Sequence, residues 1–287
     1  MEKYYRFAGV DVAVRIPDAW MYEDDRQLAP FRIDQAEAPH IFSFEPVDVL
    51  TAPSGDLVAQ IPGMMVYQEG NGYARYIGSV EDGWEKAYIR TIHGISESHA
   101  QVKVNEHITG IGVKTVLSAM GAEHLVAQAG GFLFHCAYID IGGKAILFTA
   151  PSGTGKSTQA ELWHQYRGAE VINGDRAVIR RKKDLIAEGI PFCGSSSYCV
   201  NRTLPIAAIV YLSQAPTTSI RKLRGVETFL KIWEGVSVNT WDKEDMARVS
   251  GAVQQTATEI PTYHLACTPD ESAVTALEEA LRKQEAL

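Results

Sequence analysis

Cysteine is scarce in this chain of 287 residues: Cys136, Cys193, Cys199 and Cys267 show neither C-x-x-C spacing nor the density of a disulfide scaffold. Reduced thiols in a cytosol are expected. Long apolar runs are lacking too. None approaches the roughly 20 residues needed to span a bilayer, and Met1-Glu2-Lys3-Tyr4 has no apolar core of a signal peptide. A soluble, cytoplasmic protein with no membrane partner follows as the expectation. Positive charge is in deficit, with 27 Lys and Arg against 35 Asp and Glu, a formal charge of -8 and a pI near 5.5. This speaks against a nucleic-acid partner, because binding a phosphate backbone needs a broad basic surface. The one basic run, Arg180 to Lys183, is short, precedes Asp184 between two strand-like stretches, and reads as a solvated hairpin tip. Repeats and low-complexity tracts are absent, while 46% hydrophobic residues suffice for a substantial core.

What is present is a phosphate-cradling loop. Residues 150 to 157 read Ala-Pro-Ser-Gly-Thr-Gly-Lys-Ser, between the apolar run Ala145 to Phe148 and a helical stretch beginning near Lys156. Gly153 and Gly155 have no Cβ, so consecutive backbone N–H groups can turn inward and approach phosphate oxygens. Lys156 adds a mobile positive charge, Ser157 offers a hydroxyl to Mg²⁺, and the helix directs its positive end at the same phosphates. The strict pattern has glycine where this chain has Ala150, a small residue that an extended backbone tolerates. Ser152, Gly153, Thr154, Gly155, Lys156, Ser157 and Thr158 are the expected nucleotide-binding residues.

Around this loop the pattern predicts two regions, 1–110 and 111–287. From Tyr4 to about Val104, short apolar stretches alternate with turn residues, which predicts a β-rich, mostly antiparallel region; Glu69-Gly70-Asn71-Gly72 marks a hairpin. Between Ile111 and Gln128 the apolar residues fall at helical spacings, predicting one helix that ends before Gly130-Gly131. Phe132 to Ile141 and Ala145 to Phe148 then read as two strands around a tight turn. Val171-Ile172 and Val178-Ile179 flank Asn173-Gly174-Asp175, which predicts up-and-down strands rather than a β-α-β crossover. Further strands are expected at Ala207 to Leu212 and Tyr263 to Ala266, and a helix opening at Asp270-Glu271. The fold class expected is α/β with α+β character: a P-loop nucleotide-binding domain with a mixed, largely antiparallel sheet, plus the β-rich N-terminal region.

Phosphoryl transfer needs more than a phosphate loop: charge stabilisation, a metal site and a group that orients the attacking oxygen. Asp175 lies 19 residues after Lys156 at a turn, where a carboxylate could bind Mg²⁺ or accept the proton of a hydroxyl, or could simply serve its own turn. His135 shares a strand face with Leu133, Ala137 and Ile139, which by itself favours a hydrogen-bonded core histidine. Pro191 to Ser197, rich in small hydroxyl residues, reads equally as the wall of an acceptor pocket or as a surface loop, with Asn201 and Arg202 as candidate polar contacts.

Phe134-His135, Ser152 to Thr158 and Gly174-Asp175-Arg176, taken in order, resemble the successive motifs of the HPr kinase/phosphorylase group within the phosphoenolpyruvate-carboxykinase-like P-loop class. The resemblance runs from about Gly130 to Leu212 and is strongest to HPr-kinase-related proteins, in which a Pro-aromatic-x-Gly segment, here Pro191-Phe192-Cys193-Gly194, follows the acidic motif. It implies a mixed sheet around the loop, Asp175 as general base or metal-linked carboxylate, and His135 as an active-site residue. HPr kinases commonly have two adjacent acidic residues before the arginine; this chain has Gly174 and then Asp175. The first hundred residues match no separate N-terminal domain of those enzymes, which weakens HPr itself as substrate.

The expected activity is a Mg²⁺-dependent kinase. ATP, with GTP, ADP and pyrophosphate as open alternatives, would donate to a serine in a protein or peptide or to a small-molecule alcohol. Lys156 would neutralise phosphate charge, Ser157 and Asp175 would hold the metal, and Asp175 would deprotonate the acceptor with His135 assisting. A nucleotide-sensing binding protein without transfer is the alternative, favoured by the missing second carboxylate. Carboxykinase-type decarboxylation is disfavoured by the short chain.

Overall fold

The computed structural model describes residues 2–20, 22–103 and 111–283; Val104, the expected end of the β-rich stretch, lies outside the described residues. The chain divides into two compact units, Met1–Ala122 and Glu123–Leu287.

The first unit is built on a nine-stranded sheet. Its strands are β1 (Glu2–Phe7), β2 (Val10–Arg15), β3 (Arg32–Ile33), β4 (His40–Val47), β5 (Leu57–Ile61), β6 (Met64–Glu69), β7 (Gly72–Gly78), β8 (Ala87–His93) and β9 (Glu97–Lys103), in the order β3-β1-β2-β4-β9-β8-β7-β6-β5. The pairs β2/β4 and β4/β9 are parallel and every other pair is antiparallel. The β6–β7 hairpin closes at Glu69↔Gly72 with Gly70 at φ 59°, a conformation that costs glycine little. Arg90, buried in this sheet, is paired: it donates to the Tyr76 hydroxyl at 2.9 Å and to Glu69 at 2.5 Å.

The helix expected over Ile111 to Gln128 is instead two, α1 (Val113–Met120) and α2 (Ala122–Gln128). The break is Gly121, left-handed at φ 48°, whose N–H bonds the Leu117 carbonyl and ends α1. A Cβ there would lie 1.8 Å from Nη1 of Arg75, whose guanidinium donates to the Ala119 carbonyl. Apolar periodicity runs straight through this glycine, so it gives no warning of the stop.

The second unit carries a mixed sheet. In chain order its elements are β10 (Gly131–His135), β11 (Ala137–Ile141), β12 (Lys144–Thr149), α3 (Lys156–Arg167), β13 (Glu170–Asn173), β14 (Arg176–Arg181), β15 (Leu185–Glu188), β16 (Thr203–Gln214), β17 (Ser219–Lys222), α4 (Val226–Trp233), β18 (Val236–Ser237), α5 (Lys243–Glu259), β19 (Thr262–Cys267) and α6 (Glu271–Arg282). The main path is β13-β11-β12-β16-β15-β14-β10-β18, with β19 pairing β16 and β17. Only β12/β16 and β16/β19 are parallel. Residues of alternate parity face opposite layers, as the two-residue strand period requires. Ile146, Phe148, Val210 and Leu212 pack with Trp163 of α3 and Leu277 of α6. Ala145, Leu147 and Ile209 pack with Ile232 of α4 and Val253 of α5. All four cysteines are buried and unbridged.

Two sequence expectations are corrected here. The stretch Phe132 to Ile141 is broken at Cys136 into β10 and β11, and Asn173-Gly174-Asp175 does not close a hairpin. β13 pairs with β11, and β14 pairs with β10, so 131–141 and 170–181 lie antiparallel side by side. Both runs kink at the same level, between the pairs His135↔Arg176 and Tyr138↔Asn173, where the Cys136 N–H donates to the Asp175 carbonyl at 3.0 Å. The short turn sequence is real; its strands take partners that are distant in the chain. Arg180 to Lys183 does lie at the β14–β15 hairpin, although Arg180 is drawn back onto the buried Glu188.

Candidate active site

The kink sets the site. It places His135, at the end of β10, beside Asp175, immediately before β14, with Nδ1 of His135 3.5 Å from Oδ1 of Asp175. The His135 backbone is held from both sides: its N–H donates to the Gly235 carbonyl at 2.7 Å, and its carbonyl accepts from the Thr149 hydroxyl at 3.0 Å. Thr149 is the last residue of β12, so the same strand that fixes His135 leads directly into the loop.

In that loop Gly153 and Gly155 have φ of 78° and 116°, a region open to glycine and costly for other residues. A Cβ on Gly153 would meet nothing within 4 Å, and one on Gly155 only the Thr158 Cβ at 4.0 Å. Open space is therefore kept where side chains would otherwise project. Gly155 is also the N-cap of α3 and supplies no side-chain acceptor, which leaves the amides at that end available to an anionic group. Lys156 is buried to 8% exposure and its Nζ donates to the Ala150 carbonyl at 3.1 Å. Burial lowers its pKa while the Asp175 carboxylate opposes that shift. The Ser157 hydroxyl faces the Gly174 carbonyl at 3.5 Å, which brings the start of α3 against the acidic turn.

Asp175 is flanked on its other side by Arg176, whose Nε is 3.2 Å from Oδ2. Burial pushes the His135 pKa down, and Lys156 adds to the effect; Asp175 only partly offsets them. At neutral pH the imidazole is thus uncharged and able to accept a proton. The loop expected as an acceptor wall lies directly over the carboxylate: a Cβ on Gly194 would come within 2.9 Å of the Asp175 Cγ, and one on Gly174 within 2.4 Å of the Ser196 hydroxyl.

These groups surround one cavity of about 560 Å³. Of the expected nucleotide-binding run, Ser152, Gly153, Gly155, Lys156, Ser157 and Thr158 line it; Thr154 does not, and its carbonyl instead accepts from the Gln214 side chain at 3.5 Å. His135 and Asp175 line it as well, together with Ser195, Ser196 and Ser197. Arg202 is elsewhere, paired with Asp140 at 2.9 Å and Glu170 at 3.1 Å.

Three residues at this site escaped sequence reasoning. Asn173 accepts the N–H groups of Asp175 and Arg176 on its side-chain oxygen, at 2.9 and 3.0 Å. An asparagine opening an Asn-Gly-Asp turn is a signal for this arrangement. Glu161, four residues beyond Ser157, reaches the same cavity one helical turn on, and its partner Tyr198 closes the far wall. The hydrogen bond to Glu161 raises the Tyr198 phenol pKa.

No protein-family model matches the chain, and no curated protein does. Among solved structures, it is similar to the Hpr(Ser) kinase/phosphatase from Coxiella burnetii, with 12% identity and a TM-score of 0.34 over 53% of this chain and 98% of that one. A likeness that distant assigns no family, and the reading below stands on the cavity.

Proposed function

We propose that the chain is a Mg²⁺-dependent kinase that passes the terminal phosphoryl group of ATP to a hydroxyl acceptor, either a serine of a protein or peptide or a small-molecule alcohol. The observation that carries this reading is convergence: a glycine loop with a lysine and a serine hydroxyl, a carboxylate and an uncharged imidazole, drawn from three separate segments, line one cavity. A structural phosphate loop would need no carboxylate and imidazole opposite it.

The residues suit both groups the reaction needs. The empty space beside Gly153 and Gly155 and the uncapped end of α3 suit a polyphosphate, and the Ser157 and Asp175 oxygens are the hard donors that Mg²⁺ takes. Bound Mg²⁺ would supply charge neutralisation across the phosphate oxygens. Lys156, already buried, would set its ammonium against the same oxygens. Asp175 orients the acceptor hydroxyl and takes its proton as the acceptor oxygen bonds to phosphorus and the bridging oxygen departs with ADP. His135 is placed to steady that carboxylate and to share the proton.

The test is transfer of γ-³²P from ATP into serine-containing peptides, free serine and polyols, run beside Asp175→Asn. Label in one acceptor class with the wild type, lost in the variant, is the expected result. Tight nucleotide binding with no label in any acceptor would point to a nucleotide sensor instead.

A further inference from the structure

We propose that Asn173 is a positioning residue that couples the 190–198 loop to Asp175 and so brings the acceptor side of the cavity into register with the candidate base; this rests on the kinase reading above. Asn173 is fully buried, and its carboxamide uses its whole hydrogen-bonding capacity. Nδ2 donates to the carbonyls of Ile190 at 3.1 Å and Phe192 at 3.3 Å. Oδ1 accepts from the N–H groups of Asp175 and Arg176. Two carbonyls on one side and two amides on the other leave a single orientation for the group.

The consequence is mechanical. Between β15 and β16 the loop is held at Ile190 by Asn173 and at Val200, whose N–H donates to the Ile172 carbonyl at 2.9 Å, so both ends are tied to Ile172-Asn173. Between them, Gly194 sits over the Asp175 carboxylate and Ser196 over Gly174, approaches that a Cβ at either glycine would forbid. The loop holds its own shape through Ser196 N–H to the Cys193 carbonyl at 2.9 Å and Tyr198 N–H to the Ser196 hydroxyl at 3.1 Å. Ser195, Ser196 and Ser197 therefore face the cavity from a loop whose leading end, Ile190 to Phe192, is held toward Asp175 by one side chain. No other side chain of this size has two donors and a two-fold acceptor: aspartate lacks the donors, and serine is too short to span the gap.

Asn173→Asp separates the two halves of the clamp, since it keeps the oxygen that receives Asp175 and Arg176 and removes both donors to the loop. The experiment is hydrogen–deuterium exchange on the full chain, with nucleotide titration and transfer kinetics on the same samples. In Asn173→Asp, exchange over 190–198 is expected to rise at least tenfold, while the amides of Asp175, Arg176 and α3 keep wild-type protection. Nucleotide affinity should stay within twofold, and acceptor KM should rise at least tenfold more than kcat falls. Unchanged exchange over 190–198 would overturn the proposal, and so would a rise spread evenly across the second unit, which would make Asn173 a general stability residue. If the aspartate variant does not fold, Asn173→Ala decides: it should release 190–198 and the 175–176 amides together while α6 stays protected, and loss of protection in α6 would overturn the coupling. Should the wild type transfer no phosphate, the kinase reading fails alone, and the exchange pattern still decides the coupling.

Discussion

Nδ1 of His135 lies 3.5 Å from Oδ1 of Asp175, across a kink that both strand runs share. The imidazole nevertheless has a lowered pKa, because burial and the Lys156 charge outweigh the carboxylate. A histidine whose native pKa lies below its unfolded value near 6.5 binds fewer protons folded than unfolded in the interval between them. Stability therefore rises with pH through that interval, is fully present above about pH 6.5, and is lost as pH falls through the native pKa. Urea unfolding at pH 5.5 and 7.5 should show a smaller gain toward high pH in His135→Gln than in the wild type. His264, also lowered by burial, remains in both proteins and cancels in the comparison. An equal gain in the two proteins would mean that His135 titrates normally.

Lys156→Ala should weaken nucleotide binding about tenfold to a hundredfold, the range of a charge-assisted hydrogen bond of about 1.5–3 kcal/mol. Folding should survive, because Nζ donates to the Ala150 carbonyl, which water can reach once the side chain is removed. Isothermal titration with ATP and Mg²⁺ measures the loss, and an unchanged affinity would place the phosphates elsewhere. Lys156→Arg should not rescue, since a planar fork does not replace a compact ammonium in a tight loop.

The parts of this site that could be read in the sequence are those built from neighbours in the chain. The loop, its lysine and the start of α3 follow from local chemistry at Gly153, Gly155 and Lys156, and the Glu69–Gly72 hairpin from turn residues that accept positive φ. What escaped depends on distant partners. Whether Asn173-Gly174-Asp175 closes a hairpin or kinks a long run is decided by pairing with 131–141, which no local signal encodes. The same holds for Asn173, whose bonds to Ile190 and Phe192 cross 17 and 19 residues. Gly121 was hidden for the opposite reason: helical periodicity continues on both sides of it, and only Arg75, 44 residues from its Ala119 partner, reveals why the chain stops there.

That stop supplies a stability prediction for the first unit. Gly121→Ala combines a left-handed φ, which costs about 1–2 kcal/mol for a residue with a Cβ, with a methyl group 1.8 Å from the Arg75 guanidinium. Arg75 would have to leave the Ala119 carbonyl, which adds about 1–3 kcal/mol for a buried group left without its partner. Thermal unfolding should show a clear loss. In an Arg75→Ala background the added cost of Gly121→Ala should shrink to the backbone share alone, and an undiminished cost would show that Arg75 plays no part in the break.

Gly194→Ala and Gly142→Ala form a matched pair that separates strain from function. Both glycines are left-handed, at φ 53° and 60°, so each substitution should cost about 1–2 kcal/mol of stability from the backbone alone. Their surroundings differ: a Cβ at Gly142 would meet nothing within 4 Å, whereas one at Gly194 would press on the Asp175 carboxylate from 2.9 to 3.2 Å. Since the loop is tied down at both ends, the carboxylate is the part that must give. A displacement of even a few tenths of an ångström spoils the alignment on which proton removal from the acceptor depends. Gly194→Ala is therefore expected to reduce transfer about a hundredfold with nucleotide affinity intact, while Gly142→Ala keeps wild-type turnover at a similar loss of stability. Equal turnover in the two variants would remove Asp175 from the role of base, because the residue pressed hardest would then be one the reaction does not use.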